Sequence, residues 1–541
     1  MTKLVDPESS QPTVLITAGA YVSPEIQAEF GRLPPSFLPV GNKRLFIHQA
    51  EQLRTRFSRI IMSLPASFEP DKHDLRCLAD ASIELCRVPD GLTLDASIVR
   101  AVAASGNIGK GLSILHGDTL VYDIDLAIAD SVSTAEASTS YAWAHARIDG
   151  GSVTEVRERP VGGGSPHAIL SGYFNFSDVN YFILCLAAEQ NFISAINQYA
   201  TRCPLIALES KRWLDFGHLH NYYNSRRRIT TERAFNKLTI THGIVSKTSR
   251  RTNRIKAEAN WFESLPGPLR RFTPQYLGTV VEGGYTFYAT EYLYLAPLSD
   301  LFVYGRLNHD TWVDIYNSCR TFLDAAVANS PPELEPVDWS GMYLPKTLSR
   351  LEEFASTSSF SVYKPFYYNH IPVPSLAEIA ERVDAYIPPV SAGEVGITHG
   401  DLCFSNIFFD FRSKAIRLID PRGEDEQGRC SIWGDTRYDR AKLHHSVEGL
   451  YDLIVAGSVH VERDQSDSLL LTFEETEGQA VARQAYHEAV FRDYADKNAV
   501  KAITVLLFLS MLPLHSDAPT RQLAMIANAA RLWLAFTEAE S

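Results

Sequence analysis

Residues Ile397–Gly423 read ITHGDLCFSNIFFDFRSKAIRLIDPRG. Two short apolar runs, Ile407–Phe409 and Ile416–Ile419, flank the polar turn Asp410–Lys414, which is the pattern of a β-hairpin. Antiparallel strands of similar length bring their outer ends together, so Asp420 is expected to return beside Asn406. An amide oxygen and a carboxylate meeting there suit Mg²⁺, a hard ion that takes oxygen ligands. Asp401 precedes Asn406 by five positions and follows His399 and Gly400. That is the spacing of the loop that serves phosphoryl transfer from ATP, with the Asp accepting a proton from a hydroxyl and the Asn sharing the metal.

Upstream, Ala234–Thr241 and Gly243–Ser249 read as two strands, and Lys247 lies on the second. Arg254–Leu265 has apolar residues at helical spacing and carries Glu258. A strand lysine followed by a helix glutamate matches the ion pair that positions ATP phosphates. Gly283–Leu295 (GGYTFYATEYLYL) alternates and ends in an acidic-apolar segment, placing Glu291 and Tyr292 near an adenine pocket. Downstream, the runs Val481–Ala495, Val500–Leu514 and Thr520–Glu538 are expected to be helices walling an acceptor pocket. The aromatic stretch Phe360–Tyr368 reads as packing or as a cation box.

The motifs HGDLCFSNIFFD, LIDPRG and GDTRYDRAKLHHS resemble those of the aminoglycoside phosphotransferase and choline kinase family over about residues 235–515. The resemblance implies an α+β, bilobal, protein-kinase-like domain over residues 229–541, with a small lobe to about 295 and a helical lobe from about 296. It implies Asp401 as catalytic base and Asn406 and Asp420 as Mg²⁺ ligands. Lys247 is then the phosphate contact, with His399 and Asp439 in structural roles.

Residues 1–12 are polar and expected to be disordered. Thr13–Thr17 (TVLIT) then reads as a strand running into Ala18-Gly19-Ala20, as α/β nucleotide sites begin. Leu33–Gln49 (LPPSFLPVGNKRLFIHQ) precedes a helix-like run at Ala50–Phe57 and a strand at Ile60–Leu64. A further strand, Leu112–Leu115, ends in His116-Gly117-Asp118. Gly150–Pro160, Ser171–Phe176 and Trp213-Leu214-Asp215-Phe216-Gly217 follow. In that order these pieces resemble the sugar-phosphate nucleotidyltransferase family, with its Rossmann-like, GT-A-like α/β fold, over residues 13–228. The resemblance implies Gly19 and Lys43 at the nucleotide, Asp118 and Asp215 on Mg²⁺, and Glu158 and Arg159 on the substrate and its phosphate. Arg87–Thr93 falls roughly at the family's base-reading loop. The chain departs from the family where Ser36 replaces a lysine and where Gly19–Gly31 replaces a glycine-rich loop. Arg32 stands near the place of the loop's arginine. Arg226-Arg227-Arg228 reads as a solvated face or a phosphate clamp.

At 541 residues the chain is long for one core. Its net charge of −13 disfavours sequence-independent binding to nucleic acid. Seven scattered cysteines without a CxxC pair read as cytoplasmic thiols. MTKLVDPESSQPT lacks the apolar core of a signal peptide, and Ile503–Leu514 is too short to span a bilayer, so no membrane insertion is expected. The expectation is a two-step enzyme. It would phosphorylate a small alcohol, sugar or amino-alcohol with ATP and couple the product to a nucleotide from CTP, UTP or another NTP, with Mg²⁺, for surface polysaccharide or head-group precursors. A kinase with a binding or regulatory N-terminal module is the alternative, and a homo-oligomer stays open.

Overall fold

Thr13–Thr17 lies inside a sheet, flanked in parallel by Arg59–Pro65 and Leu112–His116. A strand with neighbours on both sides and helices over its faces is apolar throughout, which is why TVLIT shows no alternation. In the computed structural model the described residues are 12–109, 111–136, 143–158, 168–229, 236–249, 252–282, 285–329, 339–425 and 427–538. The chain divides into two units, Met1–Thr230 and Thr231–Ser541. The disorder expected for residues 1–12 falls almost wholly outside the described residues.

The sheet of the first unit has nine strands. Their order is Ile83–Val88, Arg59–Pro65, Thr13–Thr17, Leu112–His116, Ala168–Phe176, Ser131–Glu136, Leu205–Glu209, Ser152–Arg157 and His145–Asp149. The first four are parallel and joined through helices, a Rossmann-like half; Ala168–Phe176 then runs antiparallel to Leu112–His116. Leu15, Ile61, Val88, Ile114, Phe174 and Phe176 fill one core, in which Phe176 stacks on Phe182 with ring centroids 3.6 Å apart. One helix differs from expectation. It spans Leu45–Leu53 rather than Ala50–Phe57, because Leu45, Phe46, Gln49, Ala50 and Leu53 form its buried face.

The second unit opens with a four-stranded antiparallel sheet. Its order is Asn236–Thr241, Ile244–Ser249, Tyr285–Glu291 and Tyr276–Glu282, and the helix Thr252–Ser264 packs on it. The hairpin turn uses His242 and Gly243 at φ +51° and +76°. Helices dominate the rest. Glu477–Ala489 ends earlier than expected, since Val490 leaves helical geometry and a short 3-10 turn, Phe491–Asp493, follows. Lys497–Met511 is buried on nearly every side, packed against Thr436–Val447 and Pro519–Glu538. The stretch Lys497–His515 is long and apolar enough to cross a membrane, and 67% of it is buried inside the protein, as in a core helix.

A second small sheet was not anticipated. Phe366–Tyr368 pairs with Ile371–Val373 and, in parallel, with Ser468–Phe473, which continues to Val459–Arg463. The aromatic stretch is therefore partly a strand. Phe360 has the guanidinium of Arg463 5.5 Å from its ring centroid, so a cation of the protein itself covers it.

Candidate active sites

The hairpin of the second unit is Ile407–Asp410 against Ala415–Leu418, with Ile407 opposite Leu418. The next rung, Ile419 N–H to Asn406 O at 3.1 Å, carries Asp420 back beside Asn406. Asp420 sits at φ +58°, a left-handed conformation that turns the chain sharply out of the strand. Three residues on, Gly423 (φ +66°) lies so close to the helix Thr252–Ser264 that a Cβ there would be 2.2 Å from the carbonyl oxygen of Ala257. Only glycine allows that approach.

Lys247 meets this loop. Its Nζ lies 2.7 Å from Glu258 Oε2 and 2.9 Å from Asp420 Oδ1, and the side chain is almost wholly buried. Burial works against its charge, but Asp420 and Glu258 outweigh burial and raise its pKa. Glu258 is held further by Tyr288 Oη (2.9 Å) and Arg254 Nε (3.1 Å). A buried ammonium between two carboxylates is costly unless each partner stays, so removing one partner costs about 3–5 kcal/mol.

Asp401 is fixed from both sides. Asn406 Nδ2 donates to its Oδ2 (3.0 Å) and to its backbone oxygen (2.9 Å). Lys442 Nζ lies 2.9 Å from its Oδ1. Burial opposes the carboxylate, yet Lys442 more than compensates and holds Asp401 well below the usual range; its side chain remains 39% exposed. With its amide nitrogen committed to Asp401, Asn406 presents Oδ1 as its remaining acceptor, and Asp420 contributes carboxylate oxygen. These two hard donors fit Mg²⁺, which binds through one or two protein oxygens plus phosphates and water. Among the described residues no group of three or more His, Cys, Asp and Glu side chains converges on a metal.

The loop itself is braced by Asp439, whose carboxylate accepts from His399 N–H (2.6 Å) and Gly400 N–H (2.8 Å). His399 is fully buried, with Nε2 2.9 Å from Ile419 O and Nδ1 accepting from Asp401 N–H at 3.3 Å. Both contacts suit a neutral ring protonated at Nε2. Burial lowers the His399 pKa to about 4. We expect imidazole NMR titration to report an Nε2–H tautomer at neutral pH and a midpoint near 4. The unfolded chain takes up this proton near 6.5. The group's contribution to stability is therefore complete above that pH and is lost as pH falls towards 4. A midpoint near 6.5 in the folded protein would refute this assignment.

Glu291 ends the third strand of the small sheet in its spatial order, and Tyr292 follows it. Glu291 Oε1 accepts from Gln275 N–H at 3.1 Å, and Tyr292 N–H donates to Gly243 O at 2.7 Å. These bonds tie strand ends together, and Tyr292 also meets Tyr294 edge-on at 4.8 Å.

In the first unit, the strand Trp213–Asp215 pairs with Thr119–Val121, setting Asp215 opposite Thr119 and Asp118 next to both. The two carboxylates converge over Gly217, where a Cβ would lie 2.3 Å from Asp118 Oδ2 and 3.3 Å from Asp215 Oδ1. Burial, then the charge of Asp215, raises the Asp118 pKa to about 6. His218 Nδ1 lies 3.0 Å from Asp215 Oδ2, and this hydrogen bond raises the histidine's pKa. Two carboxylates forced together in a partly dry site are what a divalent cation relieves, so this donor set also fits Mg²⁺. They line a cleft of ≈ 400 Å³ with Glu158, His116, Trp143 and Trp213. Glu158 Oε1 accepts from Asn191 Nδ2 at 3.0 Å. Arg159 lies outside the described residues.

Thr93, the last residue of the segment Arg87–Thr93, also lines the cleft, whereas Gly19, Lys43 and Arg32 do not. Gly19 is packed against the core: a Cβ there would lie 2.6 Å from Ser97 Oγ and 2.7 Å from Val88 Cγ2. Lys43 is half exposed and pairs with Glu51 at 3.0 Å. Arg32 lies over the Tyr21 ring (3.8 Å) and beside Asp90 (3.3 Å), on the segment Arg87–Thr93. Arg226-Arg227-Arg228 closes the helix Leu219–Ile229, where cations favour the helix dipole.

Sequence reasoning missed the residues that hold the Asp118 turn. Ser36, fully buried, donates to Gly117 O at 2.9 Å. Gln49 Nε2 reaches the carbonyls of His116, Gly117 and Thr119 at 3.1–3.2 Å. Arg44 is locked to Asp74 by two 2.8 Å bonds. The LPVGNKRLFIHQ signature thus braces the turn through Gln49. It missed Lys442 as well.

No protein-family model matches the chain, and no curated protein matches it. Among solved structures, a nucleoside-diphosphate-sugar pyrophosphorylase from Vibrio cholerae is matched over 40% of this chain and 99% of its own, at 11% identity and TM-score 0.33. An inositol-1-phosphate CTP transferase from T. maritima is matched over 41% and 97%, at 9% identity and TM-score 0.32. A thermostable mutant of aminoglycoside phosphotransferase APH(4)-Ia is matched over 57% of this chain and 93% of its own, at 12% identity and TM-score 0.37. Likenesses at these scores are ones of outline alone.

Proposed function

We propose that the chain carries two phosphorus chemistries. The second unit phosphorylates a small alcohol, sugar or amino-alcohol from ATP, and the first couples the product to a nucleotide from CTP or UTP, as for surface polysaccharide or head-group precursors. The observation that carries the first step is the convergence of Lys247, Glu258 and Asp420 at the open end of a hairpin, the same end that holds Asn406 and Asp401. Lys247, kept charged by its two carboxylates, neutralises the nucleotide's α/β-phosphates. Asp401 orients the acceptor hydroxyl and receives its proton. The acceptor oxygen bonds to the γ-phosphorus as the bond to the β-bridging oxygen breaks. Asn406 and Asp420 would hold Mg²⁺, which would supply charge neutralisation at the phosphates.

For the second step, Asp118 and Asp215 supply the donors for Mg²⁺ in the cleft of the first unit. The phosphomonoester oxygen attacks the α-phosphorus of the NTP and pyrophosphate leaves. A second reading, in which the first unit only binds a ligand, is favoured by Ser36 in the place of a lysine and by Gly19 being consumed in packing. A screen of alcohols, sugars and amino-alcohols with Mg-ATP plus each NTP, followed by phosphorus NMR, separates these. The two-step reading expects a phosphomonoester that gives way to a diphosphate diester and pyrophosphate. A phosphomonoester that persists with every NTP leaves the kinase alone, and no turnover of ATP overturns both.

A further inference from the structure

Between Asp401 and Asn406 the catalytic loop runs Leu402-Cys403-Phe404-Ser405 and carries no cation. A positive charge reaches the site from elsewhere. Lys442, on the helix Thr436–Val447, places Nζ 2.9 Å from Asp401 Oδ1. Its side chain is only 9% exposed. An ammonium has three N–H donors, and among the described residues this one has a single hydrogen-bonding partner, Asp401. The Tyr438 ring lies 6.0 Å from Nζ, and the Cys403 thiol is also nearby. A buried ammonium with two unused donors is expensive unless something else accepts them. Asp401 is where acceptor hydroxyl and γ-phosphoryl group meet on the reading proposed above, so those donors face the transferring group.

We propose that Lys442 is a catalytic residue of the second unit, whose two spare N–H groups bind non-bridging oxygens of the phosphoryl group in flight while the third holds Asp401. The step balances without a proton from Lys442. The bond from γ-phosphorus to the β-bridging oxygen breaks, the bond to the acceptor oxygen forms, and the acceptor proton goes to Asp401. The lysine stays an ammonium throughout and offsets charge on the planar oxygens. This inference rests on the phosphotransfer reading of the site.

The test is calorimetric and needs no acceptor. Wild type, Lys442→Met and Lys442→Arg are titrated with Mg-ADP alone and with Mg-ADP plus aluminium fluoride, which mimics the planar phosphoryl group. We expect Lys442→Met to bind Mg-ADP within about two-fold of wild type, which also reports an intact fold, and to lose about 10–100-fold in affinity for the fluoride complex, the worth of hydrogen bonds from a charged donor. Lys442→Arg should recover part of that loss. In an Asp401→Asn background, Lys442→Met should still weaken the fluoride complex. Equal affinities in wild type and Lys442→Met for both ligands overturn the proposal. So does a loss that vanishes in the Asp401→Asn background, which reduces Lys442 to positioning Asp401. Failure of wild type to bind Mg-ADP overturns the phosphotransfer reading itself.

Discussion

Asp401→Asn is expected to lower kcat for phosphorylation by about 10²–10⁴-fold, the range for losing a positioned general base. The KM for Mg-ATP should change little, because Lys247, the proposed phosphate contact, is held by Glu258 and Asp420. The substitution is nearly isosteric but disturbs both ends of the carboxylate. At one end Asn406 Nδ2 loses a charged acceptor; at the other Lys442 loses its counter-ion in a buried place. Some loss of stability will therefore accompany the loss of rate. A steady-state assay with any acceptor found in the NMR screen, paired with thermal unfolding, separates the two. An Asn variant that keeps wild-type kcat would remove Asp401 from the chemistry.

The second large effect is in the other unit. Asp118→Asn should abolish nucleotidyl transfer, by about 10³-fold or more, while leaving ATP-dependent phosphorylation intact, since a metal-centred step loses both alignment and charge neutralisation with its ligand. Asp118 and Asp401 lie in different compact units. The readout is accumulation of phosphomonoester with no pyrophosphate. The converse, pyrophosphate release unchanged in Asp118→Asn, would assign the cleft to ligand binding only. Asp215→Asn should behave alike but with a larger stability cost, because Asp215 also accepts from Gly217 N–H, Asn221 and His218 and so holds the turn together.

What could be read in the residues depended on how local the determinant was. The hairpin carrying Asn406 and Asp420 was legible because two short apolar runs of similar length around a polar turn are neighbours in sequence and pair locally. Lys247 and Glu258 were legible because a strand and the next helix are neighbours in sequence. Lys442 was not: nothing in TRYDRAKLHHS marks one lysine as inward-facing on a helix buried nearly all round. The sheet around Phe366–Tyr368 was hidden for a similar reason, since beyond the neighbouring Ile371–Val373 its strand pairs with Ser468–Phe473, which is remote in sequence. In the first unit the family signature drew attention to Lys43. The residues that do the local work are its buried neighbours Arg44 and Gln49, whose polarity alone in an apolar segment was the available clue.

The close approach of Gly423 to Ala257 has a consequence for control. It rivets the loop that carries Asp420 to the helix that carries Glu258, and Lys247 bridges the same two carboxylates. That helix cannot swing outward without dragging the Asp420 loop with it. The Lys247, Glu258 and Asp420 cluster is therefore already joined without a nucleotide, so on the function proposed above little binding energy goes into drawing that helix inward. Throughput then follows the concentrations of nucleotide and acceptor, rather than a switch between on and off forms of the enzyme.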